Sequence, residues 1–342
     1  MPSSQNPPDL IGQSKIFLDA LDHASQIAMI DRPIFVAGER GSGKSLLAMR
    51  IHFLSTRWEG PLVRVNCAEV PDTRLDAELF GQEAGAGRRQ TGKIERAQGG
   101  TLFLDEIAGA ALHVQEKLLR LVETGEYERL GGNETLKADI RIITASAYDL
   151  RQCAFEERFH RDLLDQIALD VVALPPLRER KDDIPLLAVH FASPAAAELG
   201  LKFPGFTAEA AIALNNHDWP GNVRELKNVI ERAVFRWGEG DADGQITEIT
   251  IDPFERALGP FIARKRPRAP KEAAPMSPGA ISALSSGYQE GADLRAYLGE
   301  LEKTIVAETL ARNGDNQRRA AEALCLTYDQ IRGIIKKHSL TG

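Results

Sequence analysis

The sequence predicts an α/β fold in which helices flank a parallel sheet and further helices follow it. Apolar, strand-like runs at 34–37, 62–65 and 140–145 alternate with stretches that show helical spacing. This alternation favours a parallel sheet covered on both faces. From 184 to 235 the pattern becomes wholly helical, and three more helical patterns occupy 292–342.

Composition limits what the chain can do. Its 342 residues suffice for two or three domains with a sizeable core. A net charge of −7 excludes a general affinity for nucleic acid, so any DNA contact must come from a local patch. Cys67, Cys153 and Cys325 lack metal-like spacing, which fits a reduced compartment. Since no apolar run approaches membrane-spanning length, we expect a cytoplasmic protein.

The first elements are a helix, a strand and a phosphate-binding loop. Apolar spacing predicts a packing helix within 10–30, with Ile16, Leu18, Leu21, Ala24 and Ile27 facing inward. The loop after strand 34–37 matches G-x-x-x-x-G-K-S/T and opens a helix-like run, as that motif requires. Its glycines let backbone N–H groups face phosphate oxygens, Lys44 reaches the outer phosphates, and the Ser45 hydroxyl can ligate Mg²⁺. The alternative is a glycine-rich turn with a solvated lysine. The loop residues are Gly38, Glu39, Arg40, Gly41, Ser42, Gly43, Lys44 and Ser45.

A second apolar run, 99–106, ends in two carboxylates, Asp105 and Glu106. Ligands of open α/β sheets bind where the parallel strands end. We therefore expect Asp105 to hold Mg²⁺, directly or through water, and Glu106 to polarise an attacking water. Acidic pairs at strand ends also serve as helix caps, but the phosphate loop favours the chemical interpretation.

The rest of the chain is predicted to be helical. A turn at 219–222 places Asn222 as a possible N-cap of the helix that carries Arg224. Prolines among Ala, Ser and Gly predict a flexible linker, whose basic cluster at 264–268 is solvated or attracts DNA phosphates non-specifically. The predicted domains are an α/β nucleotide-binding unit at 1–183, a helical lid at 184–257, the linker at 258–291 and a DNA-binding unit at 292–342.

Two short helices near the C-terminus, joined at 325–327, resemble a helix-turn-helix unit. Thr327 and Gln330 fit a capping box at the start of the second of them. That helix should bury Ile331, Ile334 and Ile335 and expose polar residues that suit base edges and phosphates. The alternative is a three-helix docking module with a solvated face. The candidate DNA contacts are Arg318, Arg319, Thr327, Tyr328, Asp329, Gln330, Arg332, Lys336 and Lys337.

The order of these motifs resembles the bacterial enhancer-binding activators of sigma-54 RNA polymerase, which are AAA+ ATPases. The shared motifs are the phosphate loop, Glu-Leu-Phe-Gly at 78–81, the run at 99–106, Leu-Pro-Pro-Leu-Arg-Glu-Arg at 174–180, Trp-Pro-Gly-Asn-Val-Arg-Glu-Leu at 219–226 and the terminal helices. The resemblance implies ATP and Mg²⁺ as cofactors, a hexamer, upstream DNA and sigma-54 RNA polymerase as partners. Asn-Gln-Arg-Arg-Ala-Ala-Glu at 316–322 and Leu-Thr-Tyr at 326–328, together with the lack of an N-terminal sensor domain, resemble the phage-shock activators, which implies control by a separate inhibitor protein.

The same resemblance implies roles for single residues. Asn66 corresponds to the switch residue that holds the catalytic Glu106, and Arg224 to the lid arginine that senses ATP. Trp58 stands where the phage-shock activators present an exposed aromatic to their inhibitor, and a packing tryptophan is the alternative.

Three regions depart from the family pattern. The family inserts a Gly-Ala-Phe-Thr-Gly-Ala loop against sigma-54, whereas this chain lacks the Phe-Thr-Gly-Ala part and offers Gly85, Ala86, Gly87, Arg88 and Arg89. His160 and Gln166 occupy the positions of the arginines that reach a neighbouring subunit's ATP, with Arg161, one residue away, or Arg158 as a substitute. Because an arginine finger contributes about 10³ to 10⁵ in rate, turnover depends on that substitution. The family's Asn after the catalytic strand is also absent from 144–147.

These departures leave three hypotheses. The chain is an ATP-hydrolysing activator of sigma-54 RNA polymerase, or an ATP-binding, DNA-bound regulator without remodelling activity, or an ATPase that remodels another protein with the terminal helices as adaptor.

Overall fold

The computed structural model describes residues 9–83, 89–240, 244–253, 293–314, 316–324, 326 and 328–338. The chain forms two compact units that divide after Asp252. The predicted linker at 258–291 lies outside the described residues. Among those described, no helix is both long and apolar enough to cross a membrane.

A five-stranded parallel sheet is the centre of the first unit. Its strands are β1 (Ile34–Ala37), β2 (Leu62–Asn66), β3 (Thr101–Asp105), β6 (Arg141–Ser146) and β7 (Val171–Ala173). They lie in the order β2-β3-β6-β1-β7, and all neighbouring pairs are parallel. A separate hairpin consists of β4 (Glu126–Tyr127) and β5 (Leu136–Lys137). The predicted parallel sheet is confirmed, while β7 and the hairpin are too short to give a periodic signal.

Helices cover both faces of this sheet. They are α1 (Lys15–Ala28), α2 (Lys44–Phe53), α3 (Asp72–Phe80), α4 (Lys93–Arg96), α5 (Leu112–Thr124), α6 (Leu150–Phe155) and α7 (Arg161–Ile167). Alternate strand residues enter different cores: Phe103 packs with α1 and α2, whereas Leu102 and Leu104 pack with α3 and α5. The inner strands β1, β3 and β6 are therefore buried on both sides, whereas the edge strands β2 and β7 are partly exposed.

The inward face of α1 differs from the prediction. Ile16 and Leu18 are 46% and 43% exposed, while Phe17 is 1% exposed. The buried stripe starts at Phe17 and continues through Leu21 and Ala24, which follow at spacings of four and three. Ile16 and Leu18 flank Phe17 and are also apolar, so the apolar spacing alone does not identify the buried face of α1.

Three helices form the lid that completes the first unit: α8 (Asp183–Glu198), α9 (Ala208–Asn216) and α10 (Asn222–Glu239). Trp219 is fully buried among them, and its indole N–H donates to the Leu214 carbonyl at 2.8 Å. Asn222 does not cap α10, contrary to the sequence prediction. The carboxylate of Glu225 accepts from the Gly221 N–H at 2.7 Å instead, which frees the Asn222 amide for other contacts.

The second unit contains α11 (Leu294–Arg312), α12 (Gln317–Ala323) and α13 (Tyr328–Lys337). Its core joins all three helices through Val306, Leu310, Ala320, Ala321 and Ile331. Arg332, Lys336 and Lys337 are exposed on α13, as predicted, and Lys337 Nζ lies 2.8 Å from Glu302 Oε2. Thr327 and the side chains of Arg318, Arg319, Tyr328, Asp329 and Gln330 lie outside the described residues.

Candidate nucleotide-binding site

The phosphate loop joins β1 to α2 and adopts a backbone that needs glycine. Gly41 and Gly43 have φ values of 76° and 111°. At Gly41 a Cβ atom would also lie 2.2 Å from the Gly221 carbonyl oxygen, which is backbone and cannot move aside. Gly41 is therefore fixed both by its conformation and by the lid that packs on it.

A cleft of about 700 Å³ lies above this loop. Parallel strands end at one edge of the sheet, so the residues that follow β1, β2 and β3 meet there. The cleft brings together the predicted residues Arg40, Gly41, Gly43, Lys44, Ser45, Asn66, Asp105, Glu106 and Arg224. Lys227 and Asn228 also line it and were missed, although they stand three and four positions after Arg224, on one helix face.

Ser45 and Asp105 form the candidate cation site. The Ser45 hydroxyl donates to Asp105 Oδ2 at 2.7 Å, and the Glu106 N–H donates to Oδ1 of the same carboxylate at 3.1 Å. Hydroxyl and carboxylate oxygens are the hard ligands that Mg²⁺ prefers. Behind them the Ser42 hydroxyl oxygen is buried without a hydrogen-bond partner in the described structure, so it remains available to an anionic ligand. The donor set fits a Mg²⁺-bound phosphate.

The Glu106 carboxylate is held inside the cleft from two sides. Its backbone adopts the left-handed conformation, with φ 50° and ψ 49°, which is unusual for a residue other than glycine. Oε1 lies 3.3 Å from Lys44 Nζ, and Oε2 accepts from the Ala147 N–H at 3.1 Å. A strained residue at such a site is a mark of function, because surrounding contacts must stabilise it.

Asn66 lines the cleft but does not hold Glu106, contrary to the role that the resemblance implies. Its Oδ1 accepts from the Ala68 N–H at 3.0 Å, and no hydrogen bond joins it to Glu106 in the described structure. Asn66 caps the turn after β2, whereas the left-handed backbone of Glu106 directs that carboxylate toward Lys44.

Hydrogen bonds to Glu39 join the lid to the phosphate loop. Both oxygens of this carboxylate accept from the Arg178 guanidinium, at 2.6 and 2.8 Å. The buried Asn222 amide donates to Glu39 Oε2 at 3.0 Å and to the Arg40 carbonyl at 3.1 Å, and its oxygen accepts from the Leu177 N–H. Glu39 thus faces the lid, whereas the sequence interpretation assigned it to ATP.

These hydrogen bonds, first from Arg178 and then from Asn222, lower the pKa of Glu39 from 4.5 to about 2. Since the folded value lies below the unfolded one, the contribution of this carboxylate to stability is complete above pH 4.5. It is lost only as the pH falls toward 2.

A buried arginine connects the same loop to α1. Arg180, 2% exposed, donates to the Ser42 carbonyl at 3.0 Å and lies over the Phe17 ring at 4.5 Å. Its neighbour Asp183 accepts from the N–H and the hydroxyl of Ser14, at 2.8 and 2.9 Å. Sequence reasoning gave Arg178 and Arg180 no role, although both belong to the motif at 174–180.

The residues expected to act between subunits lie outside the cleft. Arg161 begins α7 with an exposed side chain and does not line the cleft. Arg158 pairs with Glu156 instead. Trp58 is 50% exposed in the turn after α2.

The loop expected to meet sigma-54 is closed at its base. Gln82 and Gln90 each donate their N–H to the other's carbonyl, at 2.9 and 3.0 Å. This antiparallel bridge joins the two ends of the segment that carries residues 83–89. Arg129 fixes both sides of the base through Glu83 and Glu95, at 2.7 and 2.9 Å. Gly85, Ala86, Gly87 and Arg88 lie outside the described residues, and Arg89 is exposed.

Comparison with known proteins finds this architecture among transcription regulators. A family model described as Sigma-54 interaction domain matches residues 10–173, and one described as AAA+ ATPase lid domain matches residues 178–247. The Psp operon transcriptional activator of Escherichia coli (strain K12) is 46% identical over 337 residues, which cover 97% of this chain and 98% of that protein.

Two further likenesses extend along the chain. The C4-dicarboxylate transport regulatory protein DctD of Pseudomonas aeruginosa is 36% identical over 335 residues, which are 97% of this chain and 64% of that protein. The crystal structure of NtrX from Brucella abortus in complex with ATP has a TM-score of 0.68 and 31% identity, covering 97% of this chain and 70% of that one. The predicted fold class, an AAA+ phosphate-loop sheet with a helical lid, is confirmed.

Removing the Asn222 amide should loosen the lid from the phosphate loop. Asn222→Gly keeps the positive φ of 50° but leaves the Leu177 N–H and the Arg40 carbonyl without their partner. We expect a loss of about 1–3 kcal/mol in unfolding free energy and weaker binding of a fluorescent ATP analogue. Asn222→Asp should be worse, because it sets a second carboxylate against Glu39. Unchanged ATP affinity in both variants would contradict the coupling.

Proposed function

The chain belongs to the family of sigma-54-dependent transcription activators, and on that premise we propose that it is an ATP-dependent activator of sigma-54 RNA polymerase. In this proposal it binds upstream DNA and remodels the closed promoter complex at envelope or phage-shock stress genes. The observation that carries the proposal is the convergence of Lys44, Ser45, Asp105 and Glu106 in one cleft. Its full-length likeness to the Psp operon activator supports the choice of target genes.

The proposed chemistry assigns one role to each residue of the cleft. The backbone of Gly41 and Gly43 receives the phosphates, and Lys44 balances their outer charge. Ser45 and Asp105 hold Mg²⁺, which supplies positive charge to the phosphate oxygens. Glu106 accepts a proton from the attacking water once it leaves the ion pair with Lys44.

The lid and the switch residue regulate this step in our proposal. Arg224 contacts the nucleotide from α10. The hydrogen bonds of Asn222 to the phosphate loop couple a movement of that loop to the lid. Asn66 pairs in register with Asp105, so it lies beside the strand end from which Glu106 extends. A change of hydrogen-bond partner by Asn222 or by Asn66 would then switch hydrolysis on or off.

The proposed partners follow from the family. A hexamer in the cytoplasm places Arg161 at the neighbouring subunit's ATP. The helix pair α12 and α13 binds DNA, with Arg332, Lys336 and Lys337 among its exposed cations. The loop at 83–89 contacts sigma-54, and the half-exposed Trp58 receives an inhibitor protein.

A second function is favoured by the closed base of the loop. If residues 83–89 are too short to reach sigma-54, and His160 and Gln166 cannot replace arginine fingers, ATP serves only as an assembly switch. The chain is then an ATP-binding, DNA-bound regulator with little hydrolysis. Remodelling of another protein, with the terminal helices as adaptor, is the weakest candidate because no surface feature of the described residues specifies that protein.

Replacing the catalytic carboxylate separates hydrolysis from ATP binding. Glu106→Gln preserves shape but cannot take a proton, so steady-state turnover should fall about 10²-fold or more while ATP affinity persists. The matched control is Glu69→Gln, which neutralises another carboxylate of the cleft without a proposed role. Equal turnover in wild type and Glu106→Gln would exclude hydrolysis at this site.

Restoring the arginine fingers tests the intersubunit step. The double variant His160→Arg/Gln166→Arg should raise turnover by up to about 10³-fold, because guanidinium groups stabilise transition-state charge better than imidazole or amide. The gain should grow with protein concentration and vanish when Glu106→Gln is added. If turnover does not rise, Arg161 already serves as the finger, and Arg161→Ala should then abolish hydrolysis in the wild-type background.

Lengthening the loop distinguishes the two functions. Phe-Thr-Gly-Ala inserted after Ala86 extends the tip by about 7 Å and supplies an aromatic contact. Under the second function, sigma-54 open complexes form with ATP only when this insertion is combined with His160→Arg/Gln166→Arg, and not when Gly-Ser-Gly-Ser, which restores length alone, is inserted in that background. Open complexes formed equally well by the wild-type protein would eliminate the second function.

A further inference from the structure

A basic cavity lies at the base of the 83–89 loop, separate from the nucleotide cleft. It has a volume of about 460 Å³ and opens between α3, α4 and the bridge that joins Gln82 to Gln90. Its charged lining residues are Arg74, Lys93, Arg96 and Glu78. None of them has a part in the site described above.

Helical spacing brings these charges together. Arg74 and Glu78 stand four positions apart on α3, and Lys93 and Arg96 stand three apart on α4, so each pair shares one helix face. The large apolar residues of both helices point the other way, into the core beneath the sheet; these are Leu75, Leu79, Phe80 and Ile94. The two polar faces therefore converge on the same space.

Glycines fix how closely the two helices approach. A Cβ atom on Gly92 would lie 2.5 Å from the Gly81 nitrogen, and one on Gly81 would lie 2.7 Å from the Gln90 carbonyl oxygen. Backbone thus touches backbone where α3 ends and α4 begins. The cavity is a consequence of this packing, and its shape does not depend on side-chain rotamers alone.

The cavity carries surplus positive charge. Lys93 Nζ lies 3.3 Å from Glu78 Oε1, so this pair is neutral. Arg74 and Arg96 form no ion pair with any residue in the described part of the chain. Both guanidinium groups are exposed, and two such groups that line one cavity without an ion pair to a described residue favour an anionic ligand.

The remaining lining identifies the class of anion. Gln82, Gln90 and Thr91 add amide and hydroxyl donors, and Ala77 is the one apolar residue among those lining the cavity. Protein partners usually anchor through apolar or aromatic side chains, whereas a phosphodiester needs only charge and hydrogen-bond donors. We propose that this cavity binds the phosphate backbone of double-stranded DNA, as a second DNA contact apart from the C-terminal helices. The proposal goes beyond the function above, since it requires neither ATP hydrolysis nor sigma-54.

Salt dependence tests the contact directly. The full chain is titrated against a fluorescein-labelled random duplex of about 20 bp, by anisotropy, between about 50 and 200 mM KCl. Each phosphate neutralised contributes about 0.9 to the slope of log K against log salt. The triple variant Arg74→Gln/Lys93→Gln/Arg96→Gln should lower that slope by about 2 to 3 and weaken binding at least about 10-fold at the low-salt end.

The matched control removes three exposed cations elsewhere, as Arg32→Gln/Lys137→Gln/Lys202→Gln. It changes net charge equally, so it should shift the slope far less if the cavity makes specific contacts. Both variants should keep wild-type affinity for an ATP analogue, which shows that the first unit is folded. Equal slopes in the two variants would overturn the proposal. Binding of a labelled hexaglutamate peptide that only the cavity variant loses, with unchanged DNA binding, would overturn it in favour of an acidic protein partner.

Discussion

The contact between the phosphate loop and the lid is the interaction on which the site depends. Asn222 is buried, holds a positive φ, and bonds to the loop at Glu39 and Arg40 and to the lid at Leu177. Because both amide ends are used, the loop cannot move without moving the start of α10. The same helix carries Arg224 into the cleft, so the position of the lid and the shape of the nucleotide site are set together.

Most of the fold and about half of the site follow from local patterns. Apolar runs predicted the inner strands because parallel strands are buried on both faces, and the glycine loop with Lys44 predicted the cleft. The grip on Glu39 did not follow, since Arg178 and Asn222 lie far along the chain and their pairing exists only in three dimensions. The sequence assigned Glu39 of the phosphate loop to the ligand, whereas its carboxylate is bound by Arg178 and Asn222 of the lid.

Contacts within one subunit are complete, and the altered positions are those expected to act on another molecule. Lys44, Ser45, Asp105 and Glu106 form a connected set of hydrogen bonds and an ion pair. In contrast, the finger positions hold histidine and glutamine, and a backbone bridge between Gln82 and Gln90 closes the base of the loop. Binding energy for ATP therefore depends on residues that this chain retains. Conversion of that energy into movement of a partner depends on the residues that differ.

The close approach at Gly41 also bears on how such a chain would change if selection for hydrolysis were relaxed. A side chain there would lie 2.2 Å from the Gly221 carbonyl oxygen and would have to adopt a φ of 76°, so backbone conformation and lid packing constrain this residue independently of hydrolysis. Glu39 is constrained likewise, through Arg178. If hydrolysis were lost, substitutions would accumulate at Glu106 or at the finger positions before they accumulate at Gly41 and Glu39. A phosphate-loop motif in a relative of this chain therefore indicates that the lid still packs on the sheet. The residues at the finger positions are the better indicator of ATP hydrolysis.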